Sequence, residues 1–181
     1  VGSEMCIRDR LDTDLRNGRW NQSLDGMELG GKQLGIIGFG GIGRRVSELA
    51  RAFGMAVKVW TRNPGEARAR EHGVEFVSLN DLLQTSDVIS LHVALTYETK
   101  NLINVTNIQQ MKPGSILINT ARGEIVDESA LVDALKERHL KAAGLDVYQQ
   151  IGVNVFDRIK EFNKARNIGD INISKGLGSI K

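Results

Sequence analysis

Three glycines in residues 34–43, which read LGIIGFGGIG, have a spacing suited to close contact with phosphate. Gly38, Gly40 and Gly43 form G-x-G-x-x-G after a short apolar run and at the start of an amphipathic segment. In such a turn the first glycine allows a sharp bend, the second leaves room for a pyrophosphate and the third permits close packing of helix on strand. The pattern predicts a dinucleotide-binding turn, although the motif alone leaves open a glycine turn without a ligand.

The end of the next apolar run bears on which dinucleotide would bind. A carboxylate is expected there to accept hydrogen bonds from the adenosine ribose, whereas this chain has Thr61 and Arg62. Without a carboxylate a 2′-phosphate is not repelled, and Arg62 can pair with it. We therefore expect NAD or NADP, with a slight preference for NADP. In the alternative, Arg62 is a solvated loop residue and the Thr61 hydroxyl serves NAD.

The elements that must hold these residues follow an alternating pattern from residue 34 to about residue 147. Short apolar runs rich in β-branched residues alternate with amphipathic segments, which predicts βαβ units and an α/β fold. The fold class expected is a Rossmann-type doubly wound parallel sheet in three αβα layers. Six strands are predicted: Leu34–Gly38, Ala56–Trp60, Val74–Phe76, Val88–Leu91, Ser115–Asn119 and Ala142–Leu145.

The segments between the strands are predicted to be helices. Gly41–Phe53 has apolar residues at helical spacing and is followed by Gly54 as a stop signal. Asp127–His139 starts with an acidic cap, and Ser78 starts a capping-box pattern. Pro64 is expected to open the helix after the second strand.

Composition limits the class of protein. The chain has 181 residues, 41% of them hydrophobic, which fits one well-cored domain. Its net charge of +2 is scattered, so neither nucleic acid nor an anionic membrane surface is expected as a partner. No apolar run approaches the roughly 18 residues of a membrane helix. A single cysteine, Cys6, excludes an internal disulfide, and a cytoplasmic location without a metal site is expected.

Four segments are expected along the chain. Residues 1–10 contain MCIRDR, which resembles the translation of a transposon end used in DNA library preparation. They are expected to be artefactual, with an ordinary N-terminal segment as the alternative. Residues 11–33 are expected to be an arm or linker, 34–148 the dinucleotide-binding domain and 149–181 a tail of different character.

Four ordered blocks carry a family resemblance: GKQLGIIGFGGIGRRV, SDVISLHVALTYET, MKPGSILINTARGEIVDESAL and AAGLDVY. Over about residues 11–148 the chain resembles the NAD(P)-binding domain of the D-isomer-specific 2-hydroxyacid dehydrogenases. These include phosphoglycerate dehydrogenase and glyoxylate/hydroxypyruvate reductases. The resemblance implies an oxidoreductase that transfers hydride between a nicotinamide cofactor and a D-2-hydroxy or 2-keto acid, with the active site between this domain and a substrate domain.

The resemblance also implies roles for individual residues. Arg122 would be the catalytic arginine, because its planar fork suits a substrate carboxylate and a carbonyl. In the alternative interpretation, Arg122 is a surface arginine. The alternative for Asp146 is a helix N-cap. The cofactor contacts implied are Gly41 and Ile42 to the pyrophosphate, Thr61 and Arg62 to the adenosine ribose, Val93, Thr99, Thr120 and Ala121 along the cofactor, and Asp146 to the nicotinamide carboxamide.

The acid–base pair of the family has no counterpart in the sequence. The resemblance implies a glutamate soon after GLDVY and a histidine in a later P-H segment, but residues 149–152 read QQIG. The histidines present are His72, expected on the surface, His92, expected to pack beside the cofactor segment, and His139, expected at a helix end. The chain is therefore expected to bind a dinucleotide without reducing a 2-keto acid.

Two other functions remain possible on the sequence alone. One is a nucleotide-responsive, dimeric binding module without catalysis, like the corepressors that resemble this family. The other is an unrelated doubly wound nucleotide-binding protein. A homodimer is also expected, formed through the segment Leu15–Trp20, with Trp20 as an aromatic anchor; in the alternative, Trp20 covers the core.

Overall fold

The computed structural model describes residues 16–18 and 27–146. Residues 28–146 belong to one compact unit, and residues 16–18 belong to another, in which they form a turn. The segments expected to be artefactual and off-family lie outside the described residues, as do Leu15, Arg19 and Trp20 of the segment expected to form a dimer.

A six-stranded parallel sheet forms the centre of this unit, with strand order β3-β2-β1-β4-β5-β6. The chain runs outward from β1 in one direction, returns and runs outward in the other, as in a doubly wound fold. The predicted fold class is confirmed. The strands are β1 Gln33–Ile37, β2 Ala56–Trp60, β3 Glu75–Phe76, β4 Val88–Leu91, β5 Ser115–Asn119 and β6 Leu140–Leu145.

Three strands differ from the sequence prediction in their bounds. β1 starts one residue earlier, at Gln33. Gly38 lies outside β1 because its φ of +100° turns the backbone away from the strand. β3 lacks Val74. β6 starts two residues earlier than expected because a bulge lets Ser115 pair with Leu140 and the next residue of β5 pair with Ala142. Such a bulge leaves no regular sequence pattern.

Helices connect the strands. They are α1 Gly41–Ala52, α2 Glu66–His72, α3 Leu79–Thr85, α4 Val105–Gln110 and α5 Glu128–Lys136, with a short 3-10 helix at Gly123–Ile125. Side chains cap three of them: Ser78, Asn104 and Asp127 accept hydrogen bonds from backbone N–H groups at 3.1, 3.0 and 3.1 Å. Pro64 precedes the N-cap Gly65 of α2 instead of opening the helix.

The helix expected over Asp127–His139 ends earlier, at Lys136. Arg138 takes a φ of +60°, and the N–H of His139 donates to the Ala134 carbonyl at 3.0 Å. This is a Schellman ending with a non-glycine residue in the left-handed position, which sequence alone would have assigned to glycine. His139 therefore lies outside the helix. Gly54, with a φ of +76°, ends α1 in the same way and confirms its role as a stop signal.

The two faces of the sheet are covered by different helices. A Cβ built on Gly35 would lie 2.6 Å from Leu82 in α3, while one built on Gly43 in α1 would lie 3.4 Å from Ile36. Since neighbouring strand residues point to opposite faces, α1 and α3 lie on opposite sides of β1. The larger core lies on the α3 side and contains Ile37, Leu82, Leu83, Ile89, Leu91, Ile103, Ile108, Met111, Leu117 and Leu131.

We predict that Gly35→Ala destabilises the domain by about 1–3 kcal/mol. Its Cβ would meet the Ser86 Oγ at 2.4 Å and Leu82 at 2.6 Å, so α3 would have to move off the sheet. The measurement is urea unfolding. Gly30→Ala is the control, because its Cβ would come no closer than 3.6 Å to another atom. Equal stability of the two variants would contradict the packing argument.

We predict that Asp127→Ala lowers the free energy of unfolding by about 1 kcal/mol. The variant removes the carboxylate that accepts a hydrogen bond from the N–H of Ala130 at the start of α5. Ser129→Ala, an exposed change in the same turn, is expected to have little effect. Matching thermal midpoints for the two variants would show that the cap contributes nothing.

Candidate functional site

The residues singled out in the sequence collect along the carboxyl edge of the sheet. Because all the strands are parallel, the loops that leave them meet at one edge. In strand order this edge carries Thr61 and Arg62 after β2, the glycine turn 38–43 after β1, Val93 and Thr99 after β4, Thr120, Ala121 and Arg122 after β5, and Asp146 after β6. In open α/β sheets, ligands bind at this edge, at the point where the strand order reverses.

The reversal point lies over the end of β1. The N–H of Gly38 donates to the Trp60 carbonyl at 2.9 Å, and the N–H of His92 donates to the Ile37 carbonyl at 2.7 Å. These bonds hold the start of the glycine turn between the loops that leave β2 and β4. In open α/β sheets a crevice is expected at such a reversal point, here between those two loops and over the glycine turn.

Two of the motif glycines are required by close packing. A Cβ on Gly38 would lie 2.6 Å from the His92 carbonyl oxygen, and one on Gly43 would lie 2.2 Å from the Gly38 carbonyl oxygen. The first glycine thus allows the bend and the third lets α1 start directly against the end of β1. These are the structural roles expected of the first and third positions of the motif.

The second glycine of the motif has open space around it. A Cβ on Gly40 or Gly41 would meet no atom within 4 Å. Gly40 is also the N-cap of α1, and no side chain caps this helix. The first N–H groups of an α-helix have no partner within the helix, and they favour an anion. The open face and this donor set fit a pyrophosphate, with Gly41 and Ile42 at the helix start.

Arg68 supports this turn, although the sequence analysis did not single it out. Its guanidinium donates to the carbonyls of Phe39 and Asn63, and it lies 5.2 Å from the centre of the Phe39 ring. Phe39 is buried and packs edge-to-face against Phe76 at 5.5 Å. Arg68 thereby ties the glycine turn to the loop after β2. No sequence motif marks this contact, because it depends on the placement of α2.

Thr61 and Arg62 occupy the tip of the loop after β2. Thr61 is partly buried and Arg62 is exposed. The Arg62 guanidinium forms an ion pair with the carboxylate of Glu98, which belongs to the loop after β4. Arg62 is thus paired with an acid, not simply solvated. Glu98 was not identified from the sequence, since it lies thirty-six residues further along the chain.

Val93 and Thr99 differ in what they present to the crevice. Val93 is partly buried beside the glycine turn, where its Cγ1 would lie 2.8 Å from a Cβ on Gly38. Thr99 is buried, and its hydroxyl donates to the Ala94 carbonyl at 2.6 Å and accepts from the Thr96 N–H at 2.7 Å. The Thr99 hydroxyl is therefore engaged in shaping its own loop.

His92 lies between these loops and its side chain is partly buried. Its Nε2 is 2.9 Å from the Ser90 Oγ, and burial lowers the pKa of His92 below its ordinary value. Burial thus favours the neutral form of the imidazole. The expectation that His92 packs beside the cofactor segment agrees with this placement.

The loop that carries Arg122 is held by a buried asparagine. Asn119 is 1% exposed; its Oδ1 accepts from the Ala121 N–H at 3.0 Å and its Nδ2 donates to the Arg122 carbonyl at 2.9 Å. Thr120 and the Arg122 side chain are exposed, and the Arg122 guanidinium donates to the Ala121 carbonyl at 2.7 Å. No sequence motif marks this supporting role of Asn119.

Asp146 directly follows β6 and joins the same edge. Its N–H donates to the Asn119 carbonyl at 3.1 Å, and its side chain is exposed. Asn119 therefore links the loop of Arg122 to the backbone of Asp146. The alternative role for Asp146, a helix N-cap, concerns residues outside those described.

The other two histidines are engaged elsewhere. His72 was expected on the surface, but its side chain is 20% exposed and packs against Phe39 with ring centres 5.5 Å apart. The His139 Nε2 lies 2.9 Å from the Ile108 carbonyl oxygen, at the opposite edge of the sheet from the crevice. His139 therefore lies away from the edge that carries Arg122, whereas His72 packs against Phe39 of the glycine turn.

Two further observations concern metal ligands and membrane-spanning helices among the described residues. Within residues 16–18 and 27–146, no group of three or more His, Cys, Asp and Glu side chains is placed to hold a metal ion. No helix in that part of the chain is long and apolar enough to cross a membrane.

Known proteins with similar sequences agree on one family. The model of the D-isomer specific 2-hydroxyacid dehydrogenase NAD binding domain matches residues 8–165. A glyoxylate reductase of Aeropyrum pernix is 46% identical over 140 residues, covering 77% of this chain and 42% of that protein. A D-3-phosphoglycerate dehydrogenase of Bacillus subtilis is 43% identical over 150 residues, covering 82% of this chain and 29% of that protein.

Solved structures show the same likeness. The D-lactate dehydrogenase of Aquifex aeolicus, complexed with NAD and lactic acid, superposes with a TM-score of 0.77 at 35% identity, covering 87% of this chain and 51% of that one. A glyoxylate reductase from Paecilomyes thermophila superposes with a TM-score of 0.72 at 40% identity, covering 82% and 46%. The chain spans less than half the length of the curated relatives named above. It belongs to the D-isomer specific 2-hydroxyacid dehydrogenase family and contains that family's NAD binding domain.

Proposed function

We propose that this chain binds a nicotinamide dinucleotide along the carboxyl edge of its sheet. In that role it is the cofactor-binding part of an oxidoreductase that transfers hydride between the nicotinamide and a D-2-hydroxy or 2-keto acid. The observation that carries the proposal is the open face of Gly40 and Gly41 at an uncapped helix start. The first and third glycines are needed for packing, but this open space has no packing role, and a bound pyrophosphate accounts for it.

The adenosine half of the cofactor is proposed to lie between the loops after β2 and β4. Thr61 and Arg62 form one wall of this crevice and Val93 lies at the other, beside the glycine turn. NAD binding by the family supports NAD(H) as a ligand. Arg62 is the group that would bind a 2′-phosphate, so NADP(H) is proposed as a second ligand. A preference for NADP(H) would require Arg62 to leave Glu98.

The nicotinamide half is proposed to lie over β5 and β6, with Thr120 and Ala121 lining it. The exposed carboxylate of Asp146 would accept a hydrogen bond from the carboxamide. Bound nicotinamide supplies or accepts the hydride. Arg122 would hold the substrate carboxylate and polarise the keto group, because its planar guanidinium offers two parallel donors. The buried Asn119 keeps this loop in place through two hydrogen bonds.

We propose that proton transfer needs an acid beside Arg122, which the described part of the chain does not place there. Reduction of a keto group requires an acid to protonate the forming alkoxide. His72 packs against Phe39, His139 bonds the Ile108 carbonyl, and His92 is hydrogen-bonded to Ser90 with its pKa lowered by burial. We therefore infer that the chain by itself binds the cofactor without useful turnover. We also propose that the chain forms a homodimer. The substrate proposed for an enzyme that contains this domain is a small 2-hydroxy or 2-keto acid.

We predict that Gly40→Val folds normally but weakens NADH binding at least tenfold. The backbone at Gly40 is extended, with φ −81° and ψ −164°, and its Cβ would meet no protein atom, so only a ligand would be displaced. Binding is measured by NADH fluorescence and calorimetry, and folding by circular dichroism.

The control is Gly30→Val, which makes the same change before β1, at the opposite edge of the sheet, where a Cβ would come no closer than 3.6 Å to another atom. It is expected to bind NADH as the unchanged chain does. Equal NADH affinity of the two variants would contradict the pyrophosphate site, and failure of the unchanged chain to bind NADH would contradict the proposed function as a whole.

We predict that the purified chain does not oxidise NADH with glyoxylate or hydroxypyruvate above the rate of an Arg122→Ala variant. The physical reason is that residues 27–146 place no acid beside Arg122 to protonate the forming alkoxide. The measurement is the decrease in absorbance of NADH. Turnover above the variant's rate would overturn the inferred incompleteness. Binding of NADH together with a ligand-induced change from monomer to dimer would instead support the binding-module alternative.

A further inference from the structure

An ion pair connects the two loops that border the proposed adenosine crevice. Arg62 belongs to the loop after β2, and Glu98 belongs to the loop after β4. These strands lie on either side of β1 in the sheet, so the pair passes over the glycine turn. In the proposed function, the charges of this ion pair lie where the 2′-substituent of the adenosine ribose would enter.

The pair is exposed and exchangeable. The side chains of Arg62 and Glu98 are 62% and 67% exposed, and ion pairs of this kind contribute little to stability. By contrast, the guanidinium of Arg68 donates to the backbone carbonyls of Phe39 and Asn63. Arg62 can thus leave its partner for a ligand without loss of the fold, whereas Arg68 is committed to the loop structure.

A carboxylate beside Arg62 acts on a 2′-phosphate in two ways. It competes for the guanidinium, and after displacement it still repels a group of about two negative charges a few ångströms away. A 2′-hydroxyl carries no charge and is affected much less. The carboxylate therefore disfavours the phosphorylated ribose more than the unphosphorylated one.

We propose that Glu98 is a specificity-determining residue, which lowers affinity for 2′-phosphorylated adenine nucleotides by neutralising Arg62. The inference rests on the proposed function, because it assumes that adenosine lies in this crevice. It assigns the choice between NAD(H) and NADP(H) to a pair of residues from two loops, and not to the end of β2 alone.

The experiment compares adenosine 5′-monophosphate with adenosine 2′,5′-bisphosphate, which differ only in the 2′-phosphate, and then NADH with NADPH. Calorimetry measures their affinities for the full chain and for Glu98→Gln. We expect Glu98→Gln to strengthen binding of the bisphosphate about fivefold and to change binding of the monophosphate less than twofold. Adding Arg62→Gln is expected to remove the gain, and the gain is expected to shrink in high salt.

The matched control is Glu48→Gln, which breaks an equally exposed arginine pair, with Arg45 on α1, and changes the net charge by the same amount. It is expected to leave the ratio of the two affinities unchanged. Should Glu98→Gln fail to fold, Glu98→Ala replaces it.

The role of Glu98 and the proposed function would be disproved by different results. Binding of the monophosphate by the full chain, with the same affinity ratio in Glu98→Gln, would overturn the role of Glu98 and leave the proposed function intact. A gain that persists without Arg62, or that Glu48→Gln reproduces, would also overturn it. Absence of binding of both nucleotides and of NADH would overturn the proposed function and this inference together.

Discussion

The close approach of the first helix to the end of the first strand is the constraint on which the site depends. A Cβ at Gly43 would lie 2.2 Å from the Gly38 carbonyl oxygen, so only glycine lets α1 start there. This placement directs the helix N-terminus at the crevice and leaves its first N–H groups without a side-chain cap. The same packing brings the positive end of the helix dipole to the carboxyl edge, where it favours an anion.

Parallel pairing extends this arrangement across the sheet. Since every strand ends at the same edge, residues far apart in sequence, from Thr61 to Asp146, become neighbours in strand order. Buried polar groups then hold the loops in position: Asn119 connects the Arg122 loop with the backbone of Asp146, and Thr99 closes the loop after β4 on itself. The exposed residues at the edge remain available for a ligand, while the buried ones are committed to structure.

Much of this could be predicted from local patterns. The alternation of short apolar runs with amphipathic segments predicted the parallel sheet, and β2, β4 and β5 begin and end where expected. The caps at Ser78 and Asp127 were also predictable, because a capping side chain bonds within its own turn. The end of α5 was not, since Arg138 takes the left-handed conformation that glycine normally supplies. The bulge between β5 and β6 was missed for a similar reason: it depends on the pairing of two strands and not on either strand alone.

The sequence by itself determined the family, the fold class and the set of edge residues, because glycine spacing, hydrophobic period and the NTARG block are local features. Tertiary structure decided which partners those residues have. It placed Glu98 on Arg62, Arg68 against Phe39 and His72 in a packed position. Such contacts join segments that only sheet order and helix placement bring together. Charge pairing and burial at the crevice therefore depend on the folded arrangement, whereas the identity of the groups at its edge does not.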